Sequence, residues 1–368
     1  MLMTTDLKMK TTAIGSLPHH NVDAALGFSF NLDIPFLPQI PMRNSWEYMI
    51  PQALEGLPGL EMDDSGTVTL NVDAWHSGAH ALNQRLDRAF ELNNYEPFEP
   101  TPATSSCWKP FLWELEERQI KVAKVQIAGP LTTQWGLRLN DGSNIDRYPD
   151  ISSQILRLVL ARTLAMTQRL RQSDVTPLLF LDEPALYVLT TQDPRHLLAL
   201  QELRILIQVL RKNHVTVGLH CCSDTDWSQA LSLGLDILSL DAALSLNSLL
   251  KHGAALRTFI SNGSRLSLGV IPTNLPTNLV DASSESSPSD SLEIFSRILA
   301  TFAQHPEHRS EDVRKTLTES LFTPACGLAL QTTSEAELIL SALKDFKTSC
   351  SRYLEKGNDQ GQDKGYKR

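Results

Sequence analysis

The chain has 368 residues, 42% of them hydrophobic and 20% charged, enough to bury a large core and long enough for one large barrel with insertions or two small domains. Its net charge of −9 provides no basic field to gather phosphates, which excludes nucleic acid as the main partner. No apolar run approaches the roughly 20 residues that span a bilayer, so no membrane association is expected.

The N-terminal MLMTTDLKMK lacks the apolar stretch of a secretory signal, and a cytoplasmic location is expected. Short β-rich runs then recur along the chain. They are residues 12–16 (TAIGS), 35–40 (PFLPQI), 124–128 (KVQIA), 178–182 (LLFLD), 215–221 (VTVGLHC), 237–241 (ILSLD), 266–271 (LSLGVI) and 321–325 (LFTPA). Their interiors are apolar rather than alternating, as in strands covered on both faces. Helical patterns fill the gaps, most clearly over 151–173 and 196–212. Eight such strands alternating with helices predict an α/β fold, a single (β/α)8 TIM barrel.

One connection is too long for a simple crossover. An insertion of about residues 42–119 follows the second strand. It holds an extended piece, GTVTLNVDAW, and two helices near 79–92 and 109–117. Residues 274–290, rich in Ser, Pro and Asp, predict a mobile loop. The barrel domain is expected to cover 1–356, and the polar stretch 357–368 to be a disordered tail.

A barrel of this kind carries its working residues at the C-terminal ends of its strands. Those ends are rich in polar and metal-capable groups: Ser16 and His19 after the first strand, Gln126 in the third, Asp182 and Glu183 after the fourth. Beyond the fifth, sixth and eighth come His220-Cys221-Cys222, Asp241 and Cys326. The five cysteines are odd in number and irregular in spacing, which fits thiols or metal ligands in a reducing compartment better than disulfides.

His220 and Cys222 are two apart, so in extended chain both face one side, while Cys221 points toward the helix layer. With Cys326 they make a soft donor set suited to Zn²⁺. Three protein ligands leave a fourth position open for chemistry. Asp241 is a candidate fourth ligand or an orienting partner. Asp182 shares the parity of Phe180, and as an anion at the mouth it could bind a substrate ammonium group. The bland readings are that the carboxylate pair caps a helix and that Ser16 and His19 are ordinary turn residues.

These motifs, taken together and in order, resemble the C-terminal catalytic barrel of cobalamin-independent methionine synthase. The likeness is carried by TTAIGSLP (Thr11 to Pro18), Arg43-Asn44, DEPAL (Asp182 to Leu186) and HCC (His220 to Cys222). DILSLD (Asp236 to Asp241), LGVIPT (Leu268 to Thr273) and TPACGL (Thr323 to Leu328) extend it over most of the chain. The fold is shared with uroporphyrinogen decarboxylase. The resemblance implies zinc held by His220, Cys222 and Cys326, with Asp241 at the position of a longer Glu. It implies a homocysteine carboxylate near Ile14, Gly15 and Ser16, and an amino group held by Asp182. A second acidic residue of the family, in an HGExERN-like segment, is missing from PQIPMRN here, and Glu47 is the nearest substitute. The resemblance covers the catalytic barrel and is not expected to extend to the large N-terminal barrel that helps hold folate, and a His expected after the seventh strand is absent from VIPTNLP.

The expected activity is therefore zinc-dependent methyl transfer to a thiol such as homocysteine, in methionine biosynthesis. Methyltetrahydrofolate or a methylated corrinoid protein is the expected donor, and Asp182 and His19 are the candidate catalytic residues. Two other readings stand beside it. One is a metal-free decarboxylase resembling the uroporphyrinogen enzyme, for which only Arg43 offers the needed cationic mouth. The other is a non-catalytic barrel that binds metal or a corrinoid protein.

Overall fold

A computed structural model describes residues 6–63, 66–273 and 291–362 of the chain. Two extended segments around Thr11 and Phe36 flank α1 (Val22–Ser29). The insertion contributes α2 (Met49–Ala53), β1 (Leu60–Met62), β2 (Val68–Leu70), α3 (Val72–Leu92) and α4 (Trp108–Glu117). The central part runs through β3 (Val122–Ala128), α5 (Pro130–Gly136), β4 (Arg138–Leu139), α6 (Pro149–Gln172), β5 (Thr176–Asp182) and α7 (Pro194–Lys212). It continues with β6 (Thr216–Cys221), α8 (Trp227–Leu231), β7 (Ile237–Asp241), α9 (Ala242–Leu250), α10 (Gly253–Ser261) and β8 (Arg265–Ile271). The last elements are α11 (Ser291–Ala303), α12 (Ser310–Glu319), β9 (Leu321–Pro324) and α13 (Thr333–Gln362).

Strands β3, β5, β6, β7, β8 and β9 lie side by side in that order, all parallel, in one curled sheet. These are six of the eight strands expected. The other two, at 12–16 and 35–40, are held by single bridges instead of ladders: Thr11 to Phe322 at one edge, Phe36 to Lys124 at the other, and Ser16 to Gln39 between them. The cause is visible in their residues. Pro35 and Pro38 remove backbone donors from the second segment, and a strand missing donors cannot sustain a ladder.

Residues alternate between two apolar compartments. Leu179, Leu181, Val217, Leu219, Leu238 and Leu240 join the main core with the helices. Their strand neighbours Leu178, Phe180, Ile237 and Leu321 form a separate cluster with Leu7 and Ile34 on the opposite face. That cluster sits near the strand starts, so it forms an apolar floor below the polar strand ends. Gly218 is part of the floor, because a Cβ there would lie 2.9 Å from three atoms of the Phe180 ring. Gly218→Ala is expected to cost about 1–3 kcal/mol through overpacking, measurable as a lower midpoint in urea.

The insertion differs from expectation at its extended piece. β2 ends at Leu70, and Asn71 caps α3 through a bond from Ala74 N at 3.1 Å, so the helix starts at Val72. An Asn before the first turn ends the strand by offering the helix an N-cap. β1 pairs antiparallel with β2, and β2 runs parallel to β4, which ties the insertion to the segment after α5. The expected loop at 274–290 lies outside the described residues. The expected tail is corrected in part: α13 continues to Gln362, while 363–368 lie outside the described residues. The helix is anchored by Phe346 and Cys350 in the core, and its ladder simply propagates through the polar residues that follow. Among the described residues, no helix is long and apolar enough to cross a membrane.

Candidate metal centre

Strand parity places the key side chains. His220 ends the inward face of β6 and Cys222 follows it by two residues. The ligand atoms of His220, Cys222 and Cys326 all lie within 4.8 Å of one another. Cys326 arrives from the turn after β9, where a Cβ on Gly327 would collide with Ser16 Oγ and Leu328 N donates to Ser16 O at 2.8 Å. The first turn of the chain is thereby pressed against the cysteine turn.

His220 is buried. Its Nδ1 lies 3.1 Å from Ser239 Oγ, while Nε2 is buried with no hydrogen-bond partner. A neutral imidazole that donates from Nδ1 leaves the Nε2 lone pair free, which is the arrangement metal-binding histidines adopt. The donor set and the unpartnered Nε2 both fit a zinc ion. Ser239→Ala is expected to weaken metal affinity about 10–100-fold, measured by chelator competition.

The cysteines sort by environment. Cys107, Cys221 and Cys350 are buried in apolar surroundings, and burial pushes each thiol up to about 12. Cys221 faces the helix layer and reaches only Ser223 O at 3.2 Å. Cys222 moves the other way. The Cys326 thiol hydrogen-bonds to it and His220 lies beside it, lowering it to about 4, while Cys326 is pushed up by the same contact. Two sulfurs sharing one proton form a half-made thiolate pair, the chemical state a soft cation completes.

Asp182, the last residue of β5, pairs in register with His220 on β6 and is only 5% exposed. Its Oδ1 has no hydrogen-bond partner. Burial raises its pKa, and Lys124, then His220, oppose the rise. Lys124 is the counter-charge: it is 1% exposed, and burial lowers its pKa against the pull of Asp182. Ser267 Oγ and Thr323 Oγ1, on β8 and β9, are also buried without partners.

Other residues singled out in the sequence go elsewhere. Glu183 faces the opposite way from Asp182, accepting from Leu131 N (3.0 Å) and from Thr132 N and Oγ1 (both 2.7 Å) at the start of α5. Asp241 stays outside the cluster. Its Oδ1 accepts from Ala243 N at 2.8 Å and Leu244 N at 3.1 Å, capping α9. A Glu would reach one methylene farther, whereas the short Asp folds back on its own helix start. Glu47 binds Ile40 N and Ser106 N, each at 2.9 Å, so both of its oxygens hold the insertion to the second segment. His19 packs on Phe28 with ring centroids 5.6 Å apart, its Nδ1 is unpartnered, and burial lowers its pKa. None of its described contacts reaches the cysteines. Gly15 backs onto Gln126 and Gln39, where a Cβ would lie 2.5 Å and 2.7 Å from their amide atoms. Ile14 offers its carbonyl to Lys124.

Lys124 was not singled out by sequence reasoning. The signal was present: KVQIA places Lys124, Gln126 and Ala128 on one face of an otherwise apolar strand, and a lysine there must have a partner.

No protein-family model matches this sequence, and no curated protein matches it. A B12-independent methionine synthase from a Shewanella species, in complex with selenomethionine, is a structural neighbour. It has 15% sequence identity, covers 66% of this chain and 67% of its own, and gives a TM-score of 0.45.

Proposed function

We propose that this chain is a zinc-dependent alkyltransferase that moves a methyl group to a thiol, homocysteine or a close analogue, in the cytoplasm. The observation carrying this reading is the His220, Cys222 and Cys326 cluster, with its free Nε2, facing an Asp182 oxygen that also lacks a partner. The ordered motifs from Thr11 to Leu328 that resemble the methionine synthase barrel support the same reading. The eight-member (β/α)8 ring also belongs to this proposal. It is supported by the single bridges that join the two N-terminal segments to β9, to β3 and to each other.

Zinc, when bound, supplies the Lewis acidity that lets a substrate thiol react as its thiolate near neutral pH. The remaining work belongs to the protein. His220, Cys222 and Cys326 hold the ion and leave one position open. Asp182 offers Oδ1 to the substrate ammonium group. The turn at Ile14, Gly15 and Ser16, pressed against Gly327, faces the carboxylate. The apolar floor around Phe180 keeps water from below. Transfer forms a sulfur–carbon bond and breaks the donor's bond to its methyl group, with the thiol proton lost to solvent. The donor is methyltetrahydrofolate or a corrinoid protein.

The test is metal analysis of the purified chain, followed by transfer to L-homocysteine from methylcobalamin and from methyltetrahydrofolate side by side. About one zinc per chain and methionine formation with one donor is the expected result. A protein that binds no metal and forms no methionine with either donor overturns the proposal.

A further inference from the structure

Lys124 sits where three parts of the molecule meet. The segments carrying Ile14 and Leu37 join the sheet and each other through single bridges made by pairs of backbone hydrogen bonds, and side chains add to the junction. Lys124 Nζ donates to Ile14 O at 2.6 Å and to Gln126 Oε1 at 3.0 Å. Gln126 Nε2 in turn donates to Leu37 O at 2.7 Å. The ammonium also lies 4.8 Å above the centre of the Phe180 ring. It is fully enclosed, and the acidic group acting on it is Asp182. One lysine therefore bonds the Ile14 turn and acts by charge on the Asp182 carboxylate, the two features assigned to the amino-acid end of a substrate.

We propose that Lys124 is a positioning residue that holds the Ile14–Gly15–Ser16 turn in place beside the Asp182 carboxylate, so that the site selects amino-acid thiols over simple thiols. This rests on the alkyltransferase reading. Lys124 does not touch the substrate. It fixes the Ile14 carbonyl, which orients the following peptide groups. Its described hydrogen bonds go to Ile14 and Gln126, so it acts on Asp182 by charge alone and leaves Oδ1 free. The metal ligands are on β6 and after β9, and none of the described hydrogen bonds of Lys124 or Gln126 reaches them, so metal loading is expected to survive the loss of the lysine.

The test uses cobalt-substituted protein and the thiolate-to-cobalt absorbance, with L-homocysteine and 2-mercaptoethanol as probes. In Lys124→Met, cobalt loading and the 2-mercaptoethanol response should match wild type, while the apparent Kd for L-homocysteine rises by about tenfold or more, as expected for losing charge-assisted positioning. Lys124→Gln, which keeps one donor for Ile14, should recover part of that loss. If Lys124→Met does not fold, Gln126→Met carries the test: it removes the lysine's side-chain partner and should weaken L-homocysteine alone by about two- to tenfold. Equal weakening of both thiols, or of neither, overturns the proposal. A wild-type protein that responds to neither thiol overturns the alkyltransferase reading and this proposal with it.

Discussion

Cys326→Ala should leave the protein folded but unable to retain metal through dialysis, with affinity reduced by well over about 100-fold. Removing a mere orienting partner already costs about 10–100-fold, and here one of three donors is lost outright. The remaining His220 and Cys222 form a two-point site open to water. The fold should survive because Cys326 is only partly buried and lies outside the main core. Cys221→Ala is the control. Its sulfur is adjacent in sequence but faces the helix layer and binds Ser223 O, so metal content should stay at wild-type level even if stability falls. Metal per chain after dialysis, together with chelator competition, separates the two variants. Full retention in Cys326→Ala, or equal loss in both, would remove the site as drawn.

That contrast between neighbouring cysteines was readable before any coordinates, because strand parity is a local rule. The shared facing of His220 and Cys222 and the opposite facing of Asp182 and Glu183 follow from period two in extended chain, and the six sheet strands from short, continuously apolar runs. What the sequence hid has a common cause, competition for partners at short range. Asp241 has the right chemistry for a ligand, but the amides of α9 are nearer. Glu47 has a charge to offer, but Ile40 and Ser106 take both oxygens. The second segment has strand composition, but Pro35 and Pro38 keep its pairing to bridges. Lys124 was passed over because its role depends on Ile14, 110 residues earlier in the chain, and no periodic pattern records a contact at that range.

Asp182→Asn should do two separable things. First, it removes the anion proposed to receive a substrate ammonium group. A hydrogen bond to a charged group contributes about 1.5–3 kcal/mol, so binding of L-homocysteine should weaken by about 10–150-fold. Binding of 2-mercaptoethanol should change little. Second, it leaves Lys124 buried without its counter-charge. A buried charge stripped of the opposite charge that acts on it is destabilising, so the unfolding midpoint should fall. The pH dependence identifies the cause. Burial already holds the Lys124 pKa below its ordinary value, with Asp182 opposing the shift, and removing Asp182 lowers it further. The folded pKa then lies below the unfolded one, so between them the unfolded chain binds more protons and stability rises with pH. Asp182 itself is pushed up to about 6 by burial, and once it is protonated the wild type lacks the counter-charge too. The deficit of Asp182→Asn relative to wild type should therefore be largest between the folded pKa values of Asp182 and Lys124, narrowing below the first and again as pH rises toward the unfolded lysine value. Lys124→Met combined with Asp182→Asn removes both charges and should recover much of the lost stability without restoring homocysteine binding. A deficit that does not change with pH, or a double variant no more stable than Asp182→Asn, would show that Asp182 stabilises the fold by some means other than its pairing with Lys124.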